Sequence, residues 1–301
     1  MRSKRLTQLS DFVQQQNSIC DFATSDSWVI LSPIEQSIKK KIEAVGTPLK
    51  DWDINIYRGV LTGCNEAFII DSEKREEILA NCQTEDERQR TAELIRPILR
   101  GRDIKRYGYV DNGLYLINTH NGVRGRIPRI KIEDYPAVKA HLDQYWDRIA
   151  TRADKGDTPY NLRNCAYLED FFKPKIVWAR LMRIAQSDID AFPRFCYAPG
   201  NFFVVDSLCF FSGKNIEQIV LALNSEYAAW YFFNNVATLD NGGFQMRQQY
   251  VEEIPLPDLS RLTSDNTDKQ IYDGFGFNKE EVIYIQRIIK EKKEEILLGG
   301  H

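Results

Sequence analysis

Apolar residues group into helical and strand-like stretches along the chain. Ile34, Ile38, Ile42 and Val45 share one helical face. In front of them, Ser32-Pro33-Ile34-Glu35 supplies an N-cap, a proline at the first helical position and a glutamate at N3; Gly46 closes the run. Ile54 to Ile70 is rich in β-branched and aromatic residues and broken by Gly59 and Gly63, which predicts two short strands around a glycine turn. Gly63 is expected to adopt a backbone conformation that other residues avoid. Thr84-Glu85-Asp86-Glu87 is a second capping box, opening a helix to about Ile95 that Pro97 then disturbs. Tyr107 to Asn118 reads as a hairpin turning at Asp111-Asn112-Gly113. Val138, Leu142, Tyr145 and Ile149 mark a helix with Pro136 near its start.

Lys175 to Ile184 and Phe202 to Phe211 are the clearest strands, with a shorter one over Phe192 to Tyr197. Glu217 to Phe233 has the spacing of one helix, striped by Ile219, Leu223, Tyr227 and Trp230 or Tyr231. Trp178, Trp230 and Tyr231 lie in such apolar runs and are expected in the core. Asp258 to Asp268 is polar and reads as a linker that offers turns but no core. A last helix starts near Asn278 and carries Val282, Ile285, Ile289 and Ile296. The class is α+β: a β-rich middle over 51–257, a helical lead-in or connector over 1–50, and a linker with C-terminal helix over 258–301.

The 301 residues are enough for one large or two ordinary domains, and 43% hydrophobic content is globular. No apolar run reaches the roughly 18 residues of a membrane helix, and Met1 to Ser10 does not resemble a signal peptide, so the cytoplasm is the expected compartment. Cysteines at 20, 64, 82, 165, 196 and 209 form no Cys-x-x-Cys pair, and histidines stand only at 120, 141 and 301. Free thiols are expected, and no metal site.

A net charge of −3 argues at first against nucleic acid, where phosphate neutralisation supplies most of the affinity. The charge is unevenly placed. Arg96 to Lys131 holds nine basic residues and two acids, while Glu66 to Glu93 holds nine acids and four bases. One basic and one acidic surface would produce this, as would a solvated mixed face.

A series of segments changes the balance. They are Arg58-Gly59-Val60-Leu61-Thr62-Gly63-Cys64-Asn65-Glu66-Ala67-Phe68, then Arg96-Pro97-Ile98-Leu99-Arg100-Gly101-Arg102-Asp103-Ile104 and Asp154-Lys155-Gly156-Asp157-Thr158-Pro159-Tyr160-Asn161-Leu162-Arg163. Lys175-Ile176-Val177-Trp178, Ala222-Leu223-Asn224-Ser225 and Ile254-Pro255-Leu256-Pro257 follow. Their order and spacing, from about residue 50 to about 258, resemble the C-terminal specificity region of TaqI-like and type IIG restriction-modification methyltransferases.

That resemblance implies a target-recognition domain that chooses a double-stranded DNA sequence for an adenine-N6 methyltransferase domain or subunit. The methyltransferase would bind S-adenosylmethionine, and Mg²⁺ would enter if the system also cleaves. A Gly-rich cofactor loop and an Asn-Pro-Pro-Tyr type motif are absent from the sequence. The chain therefore reads as recognition without chemistry, either a fragment or a separate specificity subunit, with no cofactor of its own.

Amide and guanidinium side chains on loops suit base readout. Three stretches carry them: Asn118-Thr119-His120-Asn121-Gly122-Val123-Arg124-Gly125-Arg126; Arg180 to Gln186 with Arg183; and Asn241 to Gln249 with Gln245 and Arg247. Each could equally be a solvated loop. Arg58, Arg102, Lys105 and Arg106 are candidates for phosphate contact, with Thr62 and Asn65 either touching the DNA backbone or capping their turn. Two other classes stay open. A nuclease would need converging carboxylates and a lysine, and no Asp…Glu-x-Lys match sits in a strand-turn-strand setting. An interaction or connector module would use the amphipathic terminal helix.

Overall fold

The computed structural model describes residues 31–184, 186–239 and 243–298. Helix α1 (Pro33–Val45) begins on the full reciprocal capping box of Ser32 and Glu35. Gly46 ends it with φ −75°, so space rather than handedness demands glycine: a Cβ there would lie 2.6 Å from the Ile42 carbonyl oxygen. Strands β1 (Thr47–Pro48) and β2 (Ile54–Arg58) follow. Gly63 takes φ +66°, as its turn requires. Beyond it the predicted second strand is mostly helix: Asn65–Phe68 forms one turn, α2, and only Ile69–Asp71 is strand, β3. A short apolar run can bury Ala67 and Phe68 from either conformation, and tertiary packing decides.

Helices α3 (Ser72–Ala80) and α4 (Glu85–Leu94) come next. Thr84 caps α4, but the Glu87 carboxylate accepts from Gln83 N–H and from Ala137 N–H instead of closing the box. Pro97 kinks no helix; it lies in strand β4 (Ile95–Leu99). The predicted hairpin is also corrected. Asp111 Oδ1 accepts from Gly113 N–H at 2.9 Å, and Gly113 has φ +63°, so the turn exists. Of its arms only Leu114–Ile117 is strand, β5, and it pairs with β3 and β4. Tyr107 instead bonds the backbone of Phe195 and Tyr197, which draws the first arm away. The helix expected from Pro136 to Ile149 is two, α5 (Pro136–Asp143) and α6 (Trp146–Thr151).

The two long predicted strands are each interrupted, giving β6 (Lys175–Ala179) with β7 (Met182–Arg183), and, after β8 (Cys196–Ala198), β9 (Phe203–Val204) with β10 (Leu208–Gly213). Helices α7 (Ile216–Leu223) and α8 (Glu226–Asn235) replace one predicted helix. The Asn224 amide trades bonds with the N–H and C=O of Phe195 at 3.0 and 2.8 Å, and Ser225 caps a fresh helix at Ala228 N–H. Strand β11 (Gly243–Phe244), helix α9 (Gln248–Val251), strand β12 (Pro255–Leu256) and helices α10 (Thr267–Phe275) and α11 (Lys279–Leu298) complete the chain. Helix α10 was not expected, and Leu259 and Leu262 of the supposed linker are buried in the core.

One four-stranded sheet runs β2-β10-β6-β8, all antiparallel; another runs β3-β5-β4-β9, with β4 and β9 parallel. The first sheet lies between two cores. Ile176, Trp178, Cys209 and Phe211 face one core, shared with α1, α7, α8, α10 and α11; Val177, Leu208 and Phe210 face the other. Burial on both faces explains why β6 and β10 are continuously apolar, and each large side chain so buried contributes roughly 1.5–3 kcal/mol. Helix α11 is tied to α1 by buried Glu281, which accepts from Ser37 Oγ, Lys41 Nζ and Asn278 N–H at 2.6, 2.6 and 2.7 Å. The fold is α+β.

Candidate nucleic-acid interface

The strands of the first sheet deliver several candidate residues to one end. Arg58 closes β2 opposite Cys209. Arg180 follows β6, and its N–H donates to the Ser207 carbonyl at 3.0 Å in the turn before β10. Arg58 grips the same turn, Nε donating to the Asp206 carbonyl at 3.0 Å and Nη2 to its carboxylate at 3.1 Å, while staying half exposed. Burial pushes the Cys209 thiol up to about 11, against the Arg180 and Arg58 charges and a bond with the Gln248 backbone, so all three surround one side chain.

Strand β7 carries Arg183 beyond Arg180 and pairs with β11, Arg183 opposite Gly243. Two of the three candidate stretches thus become adjacent. Gln245 and Arg247 lead from β11 into α9: Gln245 is half-buried, its N–H on the Ala237 carbonyl at 3.0 Å, and Arg247 is exposed. Among the described residues no acid pairs with Arg180, Arg183 or Arg247. The Gln186 side chain, Asn241 and Gly242 lie outside the described residues.

The loop after β5 holds the third stretch. Val123 and Ile127 bridge, and Gly122 and Gly125 take φ +75° and +77°, which makes a tight turn with Arg124 exposed and unpaired among the described residues near its tip. Arg126 pairs with Glu169 at 2.6 Å. Asn121 donates to Asp157 Oδ1 at 3.0 Å and to Asn164, and accepts from Asp157 N–H, so it fastens this loop to the 157–164 segment. His120 Nδ1 accepts from Gly122 N–H at 3.2 Å, which leaves the ring proton on Nε2; burial lowers its pKa and keeps the ring neutral near pH 7. Asn118 is only 5% exposed, and its amide makes no bond among the described residues.

The basic stretch from Arg96 to Lys131 is partly spent internally. Arg100, Arg126 and Arg129 face Asp103, Glu169 and Asp157. Arg96 stacks over Phe172; Arg106 lies over Tyr107 and donates to the carbonyls of Asn224 and Asp190. Arg102, Lys105, Arg124 and Lys131 are exposed without an acidic partner among the described residues. Thr62 is buried, its hydroxyl donating to Asn65 Oδ1 at 2.5 Å and accepting from Cys64 N–H, while Asn65 itself is exposed.

The reading of individual residues missed the segment around Arg152. That buried guanidinium donates to the carbonyls of Thr62, Asp154, Pro159 and Asn161 and sits 4.5 Å over Phe68. Burial lowers its pKa to about 10. It shapes the 154–163 loop, which closes a cavity of about 410 Å³ lined by Arg58, Asn118, His120, Arg163, Asn164 and Tyr167, among others. Only the Asp154 to Arg163 motif hinted at this in the sequence. Among the described residues, no three His, Cys, Asp or Glu side chains converge as metal ligands, and no helix is long and apolar enough to cross a membrane.

The model of the TaqI-like C-terminal specificity domain matches residues 96–256, over half of the chain. The chain belongs to this family. The matched span of this TaqI-like specificity domain contains every candidate residue except Arg58, Thr62 and Asn65. The type II methyltransferase M.BstVI of Geobacillus stearothermophilus is 23% identical over 282 residues, 90% of the chain. The chain spans 45% of that relative's length. The type IIG restriction endonuclease BpuSI shares the fold, with a TM-score of 0.52 at 12% identity over 90% of this chain and 33% of its own. The type IIL restriction-modification enzyme MmeI, solved in complex with DNA, gives 0.49 at 11% identity over 85% and 34%.

Proposed function

We propose that this TaqI-like specificity domain reads a sequence in double-stranded DNA for a restriction-modification system. It would thereby direct a methyltransferase domain or subunit to the N6 of an adenine, without catalysis of its own. The observation that carries the reading is the gathering of Arg58, Arg180, Arg183 and Arg247 at one sheet end, from segments far apart in sequence, three of them without an internal acid among the described residues. A guanidinium left unpaired in the fold is free to meet guanine O6 and N7, a bidentate contact that discriminates by roughly 1–3 kcal/mol. Arg124 on its glycine-flanked turn serves as a second reader. Arg102 and Lys105 clamp phosphates, which sets register without reading sequence.

The target adenine is then flipped into the pocket of the neighbouring methyltransferase. S-adenosylmethionine, and Mg²⁺ where the system also cleaves, belong to that other part. The helical lead-in 1–50 and the segment 258–301 flank the recognition domain 51–257 and suit contact with it. The test is binding of a fluorescent duplex pool at several salt concentrations. The wild-type chain binds with a negative slope of log K against log salt. Changing Arg183 and Arg247 together to Gln flattens the slope by up to about two, one for each charge lost from a phosphate. An unchanged affinity and slope in the double variant would remove this surface from the account.

A further inference from the structure

The cavity beside Asn118 has features that phosphate binding does not use. Asn118 is 95% enclosed yet its amide has no partner among the described residues, and its side chain lines the cavity. A buried amide left unpaired costs roughly 1–3 kcal/mol, a cost a ligand could relieve. Close by, His120 offers Nε2–H, because Gly122 N–H occupies Nδ1. Asn164 lines the same cavity, its Oδ1 already taken by Asn121, which leaves its Nδ2 to donate. Arg58 and Arg163 line it with guanidinium groups that remain half or more exposed. The volume of about 410 Å³ lies within the roughly 300–1,000 Å³ of small-ligand pockets.

A planar ligand with donors and acceptors on one edge and a phosphate attached matches this set. An Asn amide pairs with such an edge in bidentate fashion, as it does with adenine. We infer that this cavity receives a nucleobase turned out of the DNA stack, with Asn118 on its edge and Arg58 or Arg163 on its phosphate. The inference rests on the DNA-recognition reading and adds a site to it: a pocket for an extrahelical base in the recognition domain itself.

The test compares three duplexes of one sequence by fluorescence anisotropy: fully paired, with a single unpaired adenine, and with an abasic nucleotide at that place. A bulged base has already left its pair, so its unstacking cost is small; the abasic bulge matches its backbone flexibility. The wild-type chain is expected to bind the adenine bulge about tenfold tighter than the abasic one, a step of one decade in Kd. In Asn118→Ala that ratio falls to about one. If Asn118→Ala does not fold, judged by thermal melting, Asn164→Ala at the same cavity lowers the ratio instead. Equal binding of the adenine and abasic bulges by the wild-type chain overturns the inference and leaves DNA recognition standing, as does a ratio untouched by both substitutions. Failure to bind any of the three duplexes overturns both.

Discussion

Arg152 gives the sharpest prediction about what holds the site in shape. Its guanidinium carries a full charge into the interior and meets carbonyl oxygens only: Thr62, Asp154 at 2.8 Å, Pro159 at 3.0 Å and Asn161 at 2.6 Å. Thr62 and Asn161 are themselves buried, so Arg152→Met leaves at least two carbonyls without a donor. Hydrogen bonds to a charged group contribute roughly 1.5–3 kcal/mol each, which puts the loss from those two at about 3–6 kcal/mol. The drop in pKa from 12.5 to about 10 corresponds to roughly 3 kcal/mol of burial cost that methionine no longer bears. The bonds to Asp154 and Pro159 and the contact with Phe68 go as well and largely offset that relief. The expected net loss is about 4 kcal/mol, within the range of roughly 3–5 for removing one side of a buried charged network. Urea unfolding with the slope held common to both proteins measures it. Arg152→Lys should retain part of the stability, since an ammonium keeps the charge but not the planar fork that reaches four acceptors. Hydrogen exchange at Gly156 and Leu162, whose N–H groups bond Asn161 and Thr119 across this loop, should quicken in step. A loss under about 1 kcal/mol for Arg152→Met would refute the idea that this residue shapes the loop.

Three further outcomes are expected. Burial lowers the pKa of both His120 and His141 from 6.5, so below that pH the unfolded chain binds more protons, and stability falls as pH drops from 7 to 5. His141→Gln should shallow that fall in chemical unfolding curves; an unchanged slope would mean that His141 stays neutral in both states. Arg124→Ala should weaken specific DNA binding more than non-specific binding, while Lys105→Ala weakens both alike and reduces the salt slope by about one; equal losses in the two variants would contradict the division between reading and clamping. Glu281→Leu removes a buried carboxylate that accepts from Ser37, Lys41 and Asn278 and should cost about 2–4 kcal/mol by thermal unfolding; a neutral result would show that α11 is held to α1 by apolar packing alone.

Periodicity and caps located most elements but not their breaks. The Ser32 box, the Gly63 turn and the α11 stripe were legible because local chemistry decides them. The break between α7 and α8 was not, because the run from Glu217 to Phe233 keeps helical spacing across it; it depends on Asn224 meeting Phe195, a contact remote in sequence. Pro97 argued locally for a disturbed helix, yet β4 accepts it within a sheet. Leu259 and Leu262 vanished into a polar segment whose composition hid that only two residues needed to be buried. At the candidate site, residue type identified the arginines but could not separate Arg126, tied to Glu169, from Arg124, left without an acid among the described residues. The register of β7 with β11, which joins two candidate loops, is likewise a tertiary fact. The cavity behind Asn118 depends on Arg152, whose charge looked like one more surface arginine.

The central claim is that this domain selects a DNA sequence. The most direct measurement is selection of a randomised double-stranded DNA pool by the purified chain at moderate salt, followed by sequencing. The account predicts enrichment of one short motif containing an adenine. DNA recovered with no shared motif, or no DNA recovered even at low salt, would contradict it.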